Sequence, residues 1–513
     1  MNRSRRRSPD IRAPRNAPSA RARAAATLGL IAAVLIGAGC TRRADPSPPR
    51  NIVLITIDTL RSDRLGAYGN PSVRTPTLDA LARAGVVFAD ANAQIPSTLP
   101  SHASILTGRY PTSHGVHDNG VYALAPQETT LAEILSEAGF ATAAFVSAFV
   151  LDRRFGIDQG FASFGDTMED PLRRGASPRL TPDQESANPV ASWWIDTWFG
   201  PYQRRGESTV REATAWLDSL RTSAAPRPFF LWVHLFDPHE PYDPPAPFER
   251  LYDRDYGGAM DGSGETFHAE ATAGRVTPRD VDHMTARYDA EVTYTDRCVG
   301  ALLDSLSSWG LFSQTLFAVT SDHGEGLGEH DYYFEHGSRL WEPLLRVPLL
   351  LAGPGVPSGR AIAGRVRSID IMPTILAHIG LEPPAAIDGM SLWPRVHGEV
   401  SEVASYSETQ CRQQAMPVDE SLRALSSGRW KLLISSPRNA GASAPPQIQL
   451  FDLATDAQET RNLVSARERV AESMIEEIAT RVRAEPADSV RGVNTQAMDD
   501  ETVAKLRALG YVR

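Results

Sequence analysis

The sequence predicts an α/β fold, in which a large mixed but mainly parallel sheet is flanked by helices and followed by a smaller C-terminal α+β subdomain. Three apolar runs predict the sheet: Asn51 to Ile57, Phe229 to Phe236, and Thr315 to Thr320. They lack regular alternation with polar residues, as expected of strands buried on both faces. Helical patterns over 208–221 and 287–308 precede the second and third runs and complete a β/α rhythm.

Two shorter helices are marked by their end signals. Pro76 to Ala84 has Thr75 as the expected N-cap, proline at the first helical position and Gly85 just past the end. Thr130 to Ala138 begins with Thr130-x-x-Glu133, which is the pattern of a capping box.

The chain divides into an N-terminal signal, a linker and two folded parts. Residues 50–398 are predicted to form the main domain, and residues 399–513, with short strands near 430–433 and 449–451 followed by helices, form the C-terminal subdomain. Segments 165–205 and 243–275 have the composition of surface insertions that set specificity.

Residues 1–40 are predicted to be an export signal of the lipoprotein type. Eight arginines against the single acid Asp10 precede an apolar run from Ala24 to Gly39, which has the length of a signal-peptide core. Cys40 would carry the lipid, with an uncleaved N-terminal anchor as the alternative, and residues 41–49 would form a linker. We therefore expect an exported periplasmic or cell-envelope protein that contacts the membrane through this segment.

Composition limits the possible partners. The 513-residue chain is 42% hydrophobic and carries a net charge of −10, which favours a globular protein and argues against nucleic acid as a partner. Cys298 and Cys411 permit one disulfide without requiring it, and no Cys/His pattern typical of a zinc site is present. The oligomeric state is not specified.

Polar residues follow each of the three predicted strands. Asp58 ends the first, Asp237 and His239 follow the second, and Asp322-His323 follows the third. Open α/β sheets bind ligands at the carboxyl ends of their strands, so we expect these residues to converge on one crevice. Asp237 is open to a second interpretation, because in Asp-Pro-His-Glu-Pro it could cap its own turn.

Ester hydrolysis requires a nucleophile, a cation and a donor to the leaving oxygen. Asp58, Asp322 and His323 form a ligand set suited to a divalent metal ion, and Thr98 supplies a hydroxyl directly before a helix expected to begin near Ser101. The free N–H groups of that helix would favour an anion. The alternative is that Thr98 or Ser101 only caps the helix.

A family resemblance extends across residues 50–465. Residues 96–109, Pro-Ser-Thr-Leu-Pro-Ser-His-Ala-Ser-Ile-Leu-Thr-Gly-Arg, resemble the sulfatase signature. Further similar stretches are Asn51-Ile52-Val53-Leu54-Ile55, Thr75-Pro76-Thr77-Leu78-Asp79, Asp237-Pro238-His239-Glu240-Pro241-Tyr242, Thr320-Ser321-Asp322-His323-Gly324-Glu325 and Leu450-Phe451-Asp452-Leu453. The chain is thereby identified as a sulfatase-like hydrolase of the alkaline phosphatase superfamily.

The departures from the sulfatase pattern lie at the catalytic positions. Thr98 stands where sulfatases have the cysteine that becomes formylglycine, and His102 replaces an arginine. Thr59, His323 and His336 likewise stand where sulfatases commonly have aspartate, asparagine and lysine. These changes resemble the phosphodiesterase, phosphoethanolamine transferase and lipoteichoic acid synthase branches, which use an unmodified threonine with Zn or Mn.

The resemblance implies a role for each of these residues. One divalent ion (Zn, Mn or Ca) would be bound by Asp58, Thr98, Asp322 and His323. His239 and His336 would bind a second ion or the free oxygens of the substrate, and His102 would either donate to the substrate oxyanion or pack near the helix start. His114, His117 and His330 lie in loops where several roles are open.

The function predicted is that of an exported, metal-dependent hydrolase that cleaves phosphoric or sulfuric esters through Thr98. A phosphorylated threonine is readily hydrolysed by water, whereas a sulfated threonine lacks the elimination route that formylglycine provides, so phosphate esters fit better. One alternative is a phosphotransferase that moves a phosphoryl-linked group onto a glycan or lipid. The other is a catalytically silent protein that binds an anionic glycan. The expected substrate is a small-molecule, glycan or lipid ester.

Overall fold

The computed structural model of the protein describes residues 50–120, 122–168, 203–410, 420–437 and 445–483, which belong to one compact unit. The predicted signal, the linker, Cys40 and Cys411 lie outside these ranges. Among the described residues, no helix combines the length and apolar character needed to cross a membrane. Cys298 is a buried free thiol.

The larger sheet confirms the predicted fold class. Within the described residues it has nine strands, in the order β4-β3-β5-β1-β6-β8-β2-β7 with β9 beside β2. Its strands are β1 (Asn51–Ile57), β2 (Val86–Asn92), β3 (Ala141–Phe145), β4 (Ser163–Gly165), β5 (Phe229–Leu235), β6 (Thr315–Ser321), β7 (Arg346–Val347), β8 (Leu349–Ala352) and β9 (Arg360–Arg367).

The centre of this sheet is parallel. Strand β1 lies between β5 and β6 and is parallel to both, and β3 and β4 continue the parallel part on the β5 side. Strand β8 pairs antiparallel with β6 and with β2, so the sheet is mixed. The carboxyl ends of β1, β5 and β6 therefore meet at one edge, as the apolar runs predicted.

The described α-helices cover both faces of the larger sheet and one face of a smaller one. They are α1 (Pro76–Ala84), α2 (Thr98–Thr107), α3 (Pro111–His114), α4 (Leu131–Glu137), α5 (Gly206–Arg221), α6 (Gly264–Thr272), α7 (Pro278–Ser308), α8 (Glu342–Leu345), α9 (Ile371–His378), α10 (Trp393–Val396) and α11 (Glu468–Arg483).

Two apolar clusters enclose the central strands. Ile52 and Leu54 of β1 belong to one cluster, whereas Val53 and Ile55 belong to the other. Successive side chains of a strand point to opposite faces, so the two clusters lie on the two sides of the sheet. Strand β1 is thus buried on both faces, which explains why its sequence shows no alternation.

The C-terminal sheet is antiparallel. It consists of β10 (Ser405–Thr409), β11 (Glu420–Ser427), β12 (Trp430–Pro437) and β13 (Gln447–Asp452), in that order. Helix α11 packs Ala471, Met474 and Ile478 against it. This is the predicted small α+β part, although the boundary at residue 398 stays a prediction.

A buried lysine links the C-terminal sheet to helix α8. The Nζ atom of Lys431, on β12, lies 2.9 Å from Glu342 Oε1 and 2.7 Å from Glu459 Oε1. Burial lowers the pKa of Lys431, but the two carboxylates outweigh this and raise the pKa above its ordinary value. Because Glu342 begins α8, this charged cluster fixes the C-terminal sheet to the chain segment that follows His336.

Two helices begin at other residues than expected, and one predicted insertion contains a helix. Helix α2 begins at Thr98 rather than near Ser101, and α7 begins at Pro278 rather than at 287. The start of α7 has Thr277 as N-cap and a capping box with Asp280, signals that were present in the sequence. Helix α6 lies within 243–275, so that insertion is partly helical.

Candidate metal and catalytic centre

Two buried carboxylates meet at the ends of neighbouring parallel strands. Asp58 follows β1 and Asp322 follows β6, whose last residues, Ile57 and Ser321, lie in register. His323 Nε2 lies 3.8 Å from Asp58 Oδ1 and 3.4 Å from Asp322 Oδ2, and all three side chains are buried. One ligand atom from each residue lies within 4.8 Å of the others, as a metal site requires.

Within the part of the chain that the structure describes, the two carboxylates form no ion pair with lysine or arginine. In the described ranges their ion-pair partners are histidines. Burial raises the pKa of Asp58 despite the attraction of His239 and His323, and burial together with the charge of Asp58 raises the pKa of Asp322. Both carboxyl groups are therefore destabilised as anions in the absence of an added cation.

The free atoms of this cluster fit a divalent metal ion. Among the described residues, both oxygens of Asp58, Oδ2 of Asp322 and Nε2 of His323 are buried without a hydrogen-bond partner. The His323 Nδ1–H donates to the Gly324 carbonyl at 3.0 Å, which leaves the Nε2 lone pair facing the carboxylates. Carboxylate oxygens and a neutral imidazole fixed from behind are the donors that such ions bind.

The backbone at Thr59 is held in a strained conformation beside the centre. Thr59 has a φ of 53°, an unusual value for a β-branched residue. Its N–H donates to Asp322 Oδ1 at 3.2 Å, and its carbonyl accepts from the Tyr288 hydroxyl at 2.9 Å. These bonds orient Asp322, and Thr59 Oγ1 is buried without a hydrogen-bond partner.

Thr98 is the first residue of α2 and is buried. Two residues of the same helix tie it to the carboxylates: Ser101 Oγ donates to the Asp322 carbonyl at 2.7 Å, and His102 Nδ1 lies 3.8 Å from Asp322 Oδ2. The N-cap residue is Ser97, so neither Thr98 nor Ser101 is the cap. These contacts place the first turn of α2 next to Asp322, and the role of Thr98 as nucleophile and metal ligand stays a prediction.

The first turn of α2 has fewer free N–H groups to bind an anion than the sequence analysis expected. The Leu99 N–H donates to Asn119 Oδ1 at 2.8 Å, Pro100 carries no N–H, and the Ser101 N–H donates to the Ser97 carbonyl at 3.0 Å. At most the N–H of Thr98 is open in this turn. Charge neutralisation of a bound ester must therefore come mainly from elsewhere.

His102 is bonded to the protein through both ring nitrogens. Its Nδ1–H donates to the Thr98 carbonyl at 2.8 Å, which fixes the tautomer because a carbonyl only accepts. The Trp232 N–H donates to Thr56 Oγ1, and the Thr56 hydroxyl in turn donates to His102 Nε2 at 2.9 Å. Burial lowers the pKa of His102 to about 3. This arrangement favours the packing alternative over donation to a substrate oxyanion.

His239 and His336 meet on the other side of His323. Their ring centroids are 4.8 Å apart, and those of His323 and His336 are 4.5 Å apart. His239 Nδ1–H donates to the Glu240 carbonyl at 2.5 Å, so its Nε2 carries a lone pair. His336 Nδ1 lies 3.1 Å from Glu325 Oε1. The structure brings both histidines to the centre, and their role as ligands or substrate contacts stays a prediction.

Helix α6, which lies in the 243–275 insertion, contacts the residues next to His239 and His336. Glu240, next to His239, accepts the Gly264 N–H at the start of α6. His268, on the same helix, lies 3.0 Å from Glu335 Oε1, next to His336. The insertion is thus attached to the site on both sides.

His234 is a site residue that the sequence analysis missed. It lies within β5, in register with Thr56, and its Nε2 faces Asp58 Oδ2 at 3.4 Å. The Ser147 N–H donates to His234 Nδ1 at 3.3 Å, which leaves the ring proton on Nε2. Burial lowers the pKa of His234 to about 4, so the ring is neutral. The signal was a lone histidine in an otherwise apolar strand.

His102, His234 and Asp322 also have potential ligand atoms within 4.8 Å of one another. In this group, however, the tautomers place N–H groups on His102 Nδ1 and His234 Nε2. The ring atoms nearest the carboxylates therefore carry protons, which argues against a second set of metal ligands.

Other candidates lie away from the carboxylates. Asp237 Oδ2 accepts the Gly206 N–H at the start of α5 at 2.8 Å, which is a capping role. His114 bonds to Ser104 through Nε2, and His330 stacks on Trp341.

The geometry agrees with comparisons to known proteins. The sulfatase family profile matches residues 50–381, and that of the N-sulphoglucosamine sulphohydrolase C-terminal family matches residues 328–485. The chain belongs to the sulfatase family. It is accordingly an ester hydrolase of the alkaline phosphatase superfamily, as the motifs predicted.

Relatives of this sulfatase-family chain carry different activities in their names. An arylsulfatase of Clostridium perfringens is 27% identical over 82% of this chain and 91% of its own length. A multifunctional alkaline phosphatase superfamily protein of Trinickia caryophylli is 28% identical over 67% of this chain and 76% of its own. A phosphonate monoester hydrolase of Agrobacterium radiobacter shares the fold, with a TM-score of 0.65, 23% identity, and coverage of 85% of this chain and 95% of its own.

Replacing His234 tests its role behind Asp58. We expect His234→Leu to weaken binding of Zn²⁺ or Mn²⁺ by about 10–100-fold, because Asp58 loses the polar N–H that faces its Oδ2 at 3.4 Å. His234→Gln keeps an N–H near the Nε2 position and should lose about threefold at most. Isothermal titration calorimetry of the metal-free proteins measures both. Equal affinities for His234→Leu and the unchanged protein would contradict the assignment.

Proposed function

We propose that this protein is a metal-dependent hydrolase that cleaves phosphoric or sulfuric esters through the hydroxyl of Thr98. The observation that carries the proposal is the cluster of free, buried ligand atoms on Asp58, Asp322 and His323 beside the helix that begins at Thr98. A bound divalent ion would neutralise ester oxygens and favour the ionised form of a nearby hydroxyl.

The protein's own residues hold the reacting groups in place. The ionised Thr98 Oγ attacks the phosphorus or sulfur atom, and the bond from that atom to the ester's leaving oxygen breaks. Water then hydrolyses the covalent intermediate and releases Thr98. Asp322 is oriented by the Thr59 N–H, and Asp58 lies against His234. The fixed orientation of these side chains lowers the reorganisation needed in the transition state.

His239 and His336 are proposed to contact the free oxygens of the ester or to bind a second ion. Each ring is fixed from behind, His239 by a carbonyl and His336 by Glu325. Burial raises the pKa of Glu325 to about 8, so a proton is readily held between Glu325 and His336. The Nε2 atom of His336 can then serve as an acceptor or a donor, depending on where that proton lies, whereas His239 Nε2 keeps the lone pair that a second ion would bind.

A threonine nucleophile favours phosphate esters over sulfate esters as substrates. A phosphothreonine is open to in-line attack by water at phosphorus, whereas a sulfated threonine has no comparable exit. Relatives named as sulfatases and as a multifunctional alkaline phosphatase superfamily protein keep both ester classes in the proposal. Small-molecule, glycan and lipid esters are the substrate classes to be tested.

Turnover of three model esters tests the proposal. p-Nitrophenyl phosphate, bis-p-nitrophenyl phosphate and p-nitrophenyl sulfate are incubated with the metal-loaded protein, and nitrophenol release is followed. Thr98→Ala should lower kcat by at least about 10³-fold on every ester that is cleaved, because the nucleophile is gone. Undiminished turnover by Thr98→Ala would contradict the proposed nucleophile.

The matched control is Thr107→Ala, at the other end of the same helix. Its hydroxyl donates to the Ala103 carbonyl, so the variant removes a threonine of α2 away from the first turn. Its kcat should stay within about threefold of the unchanged protein.

Removal of metal by a chelator should abolish turnover, and Zn²⁺ or Mn²⁺ should restore it. Transfer of phosphate to an added alcohol instead of water would favour the phosphotransferase alternative.

The cellular location is a separate proposal. We propose export and membrane attachment through Cys40, supported by the arginine-rich start and the apolar run from Ala24 to Gly39. In a bacterial host, the full chain should fractionate with membranes and incorporate labelled fatty acid, and Cys40→Ala should lose the label. Labelling that persists in Cys40→Ala would contradict the assigned site.

A further inference from the structure

A histidine–carboxylate pair lies outside the centre described above. His117 Nδ1 lies 2.7 Å from Glu408 Oε1, and the Tyr406 hydroxyl donates to Glu408 Oε2 at 2.8 Å. Burial alone would raise the pKa of Glu408, but the bonds from His117 and Tyr406 hold it below the ordinary value. Glu408 is thus an ionised buried carboxylate, and His117 donates its Nδ1–H to it.

The His117 side of this pair is attached to the nucleophile helix. Asn119, two residues after His117, accepts the N–H of Leu99 at 2.8 Å. Leu99 directly follows Thr98. The loop that carries His117 therefore contacts the first turn of α2, where Thr98 lies.

The Glu408 side is attached both to the segment before Thr98 and to the His336 loop. The Glu408 N–H donates to the Gln94 carbonyl at 3.0 Å, four residues before Thr98. On the next residue of β10, the Thr409 hydroxyl donates to the carbonyl of Gly337, which follows His336. The pair therefore lies where the C-terminal sheet meets both sides of the catalytic centre.

The second ring nitrogen of His117 is available. Among the described residues, the hydrogen bond of this imidazole to the protein is made by Nδ1, and its side chain is 14% exposed. The ring contacts Tyr122 edge-on at 5.7 Å. A histidine fixed by a carboxylate at one nitrogen and open at the other has the geometry of a general acid or base.

We propose that His117 is the proton donor to the leaving-group oxygen, positioned by Glu408. This inference rests on the proposed function. As the ionised Thr98 Oγ forms its bond to phosphorus or sulfur, the bond from the phosphorus or sulfur to the leaving oxygen breaks, and its electron pair stays on the leaving oxygen. The proton on Nε2 of the His117 imidazolium moves to that oxygen, while Glu408 remains ionised. In the second half, water attacks the phosphorus or sulfur atom, and the bond from that atom to Thr98 Oγ breaks with its electron pair staying on Oγ. The neutral imidazole accepts the proton of the attacking water, which restores the imidazolium.

Dependence on the leaving group tests this role. A phenolate leaves poorly without a proton, whereas p-nitrophenolate leaves readily, so only the phenyl ester needs an acid. The metal-loaded full chain is assayed with phenyl and p-nitrophenyl esters of whichever acid it cleaves. His117→Asn keeps an N–H near the Nδ1 position but removes Nε2. It should lose about 10²-fold in kcat/KM on the phenyl ester and about threefold or less on the nitrophenyl ester.

Two further variants separate catalysis from structure. Glu408→Gln should also lose activity selectively, by about tenfold in kcat/KM on the phenyl ester. If His117→Asn does not fold, the result for Glu408→Gln tests the role of the pair instead. His397→Asn, an exposed histidine outside the site, should change neither rate. Equal losses on both esters, or none, would overturn the role of His117 while leaving the Thr98 mechanism intact. Absence of turnover by the unchanged protein would overturn the proposed function and this inference with it.

Discussion

The burial of two carboxylates side by side is the constraint on which the centre depends. Asp58 and Asp322 are placed together because β1 and β6 are adjacent, parallel and in register at their ends. Neither receives an ion pair from lysine or arginine within the described residues, and burial raises the pKa of both. Two such charges are stable together only with a proton or a cation between them. The arrangement therefore favours the binding of a cation.

The histidines around the carboxylates have defined donor and acceptor roles. The carbonyls of Gly324 and Glu240 fix His323 and His239 with their Nε2 lone pairs free. The Ser147 N–H has the opposite effect on His234, whose Nε2 keeps the ring proton and lies 3.4 Å from Asp58 Oδ2. Backbone groups thus decide which ring can bind a metal ion and which can only orient a ligand.

The sequence predicted the features that depend on local patterns. Unbroken apolar runs identified β1, β5 and β6, and the residues just past the strand ends gave Asp58 and Asp322. His234 was missed because strand position alone does not show which neighbour a buried side chain faces. The His117–Glu408 pair joins residues far apart in the chain, so no local pattern reports it. Only the packing of the C-terminal sheet brings it together.

The central claim is that Asp58, Asp322 and His323 bind one divalent ion next to Thr98. The most direct measurement is anomalous diffraction from crystals of the protein soaked in Zn²⁺ or Mn²⁺. The account predicts an anomalous peak about 2.0–2.2 Å from a carboxylate oxygen of each aspartate and from His323 Nε2. Strong peaks elsewhere with none between the two carboxylates would contradict it.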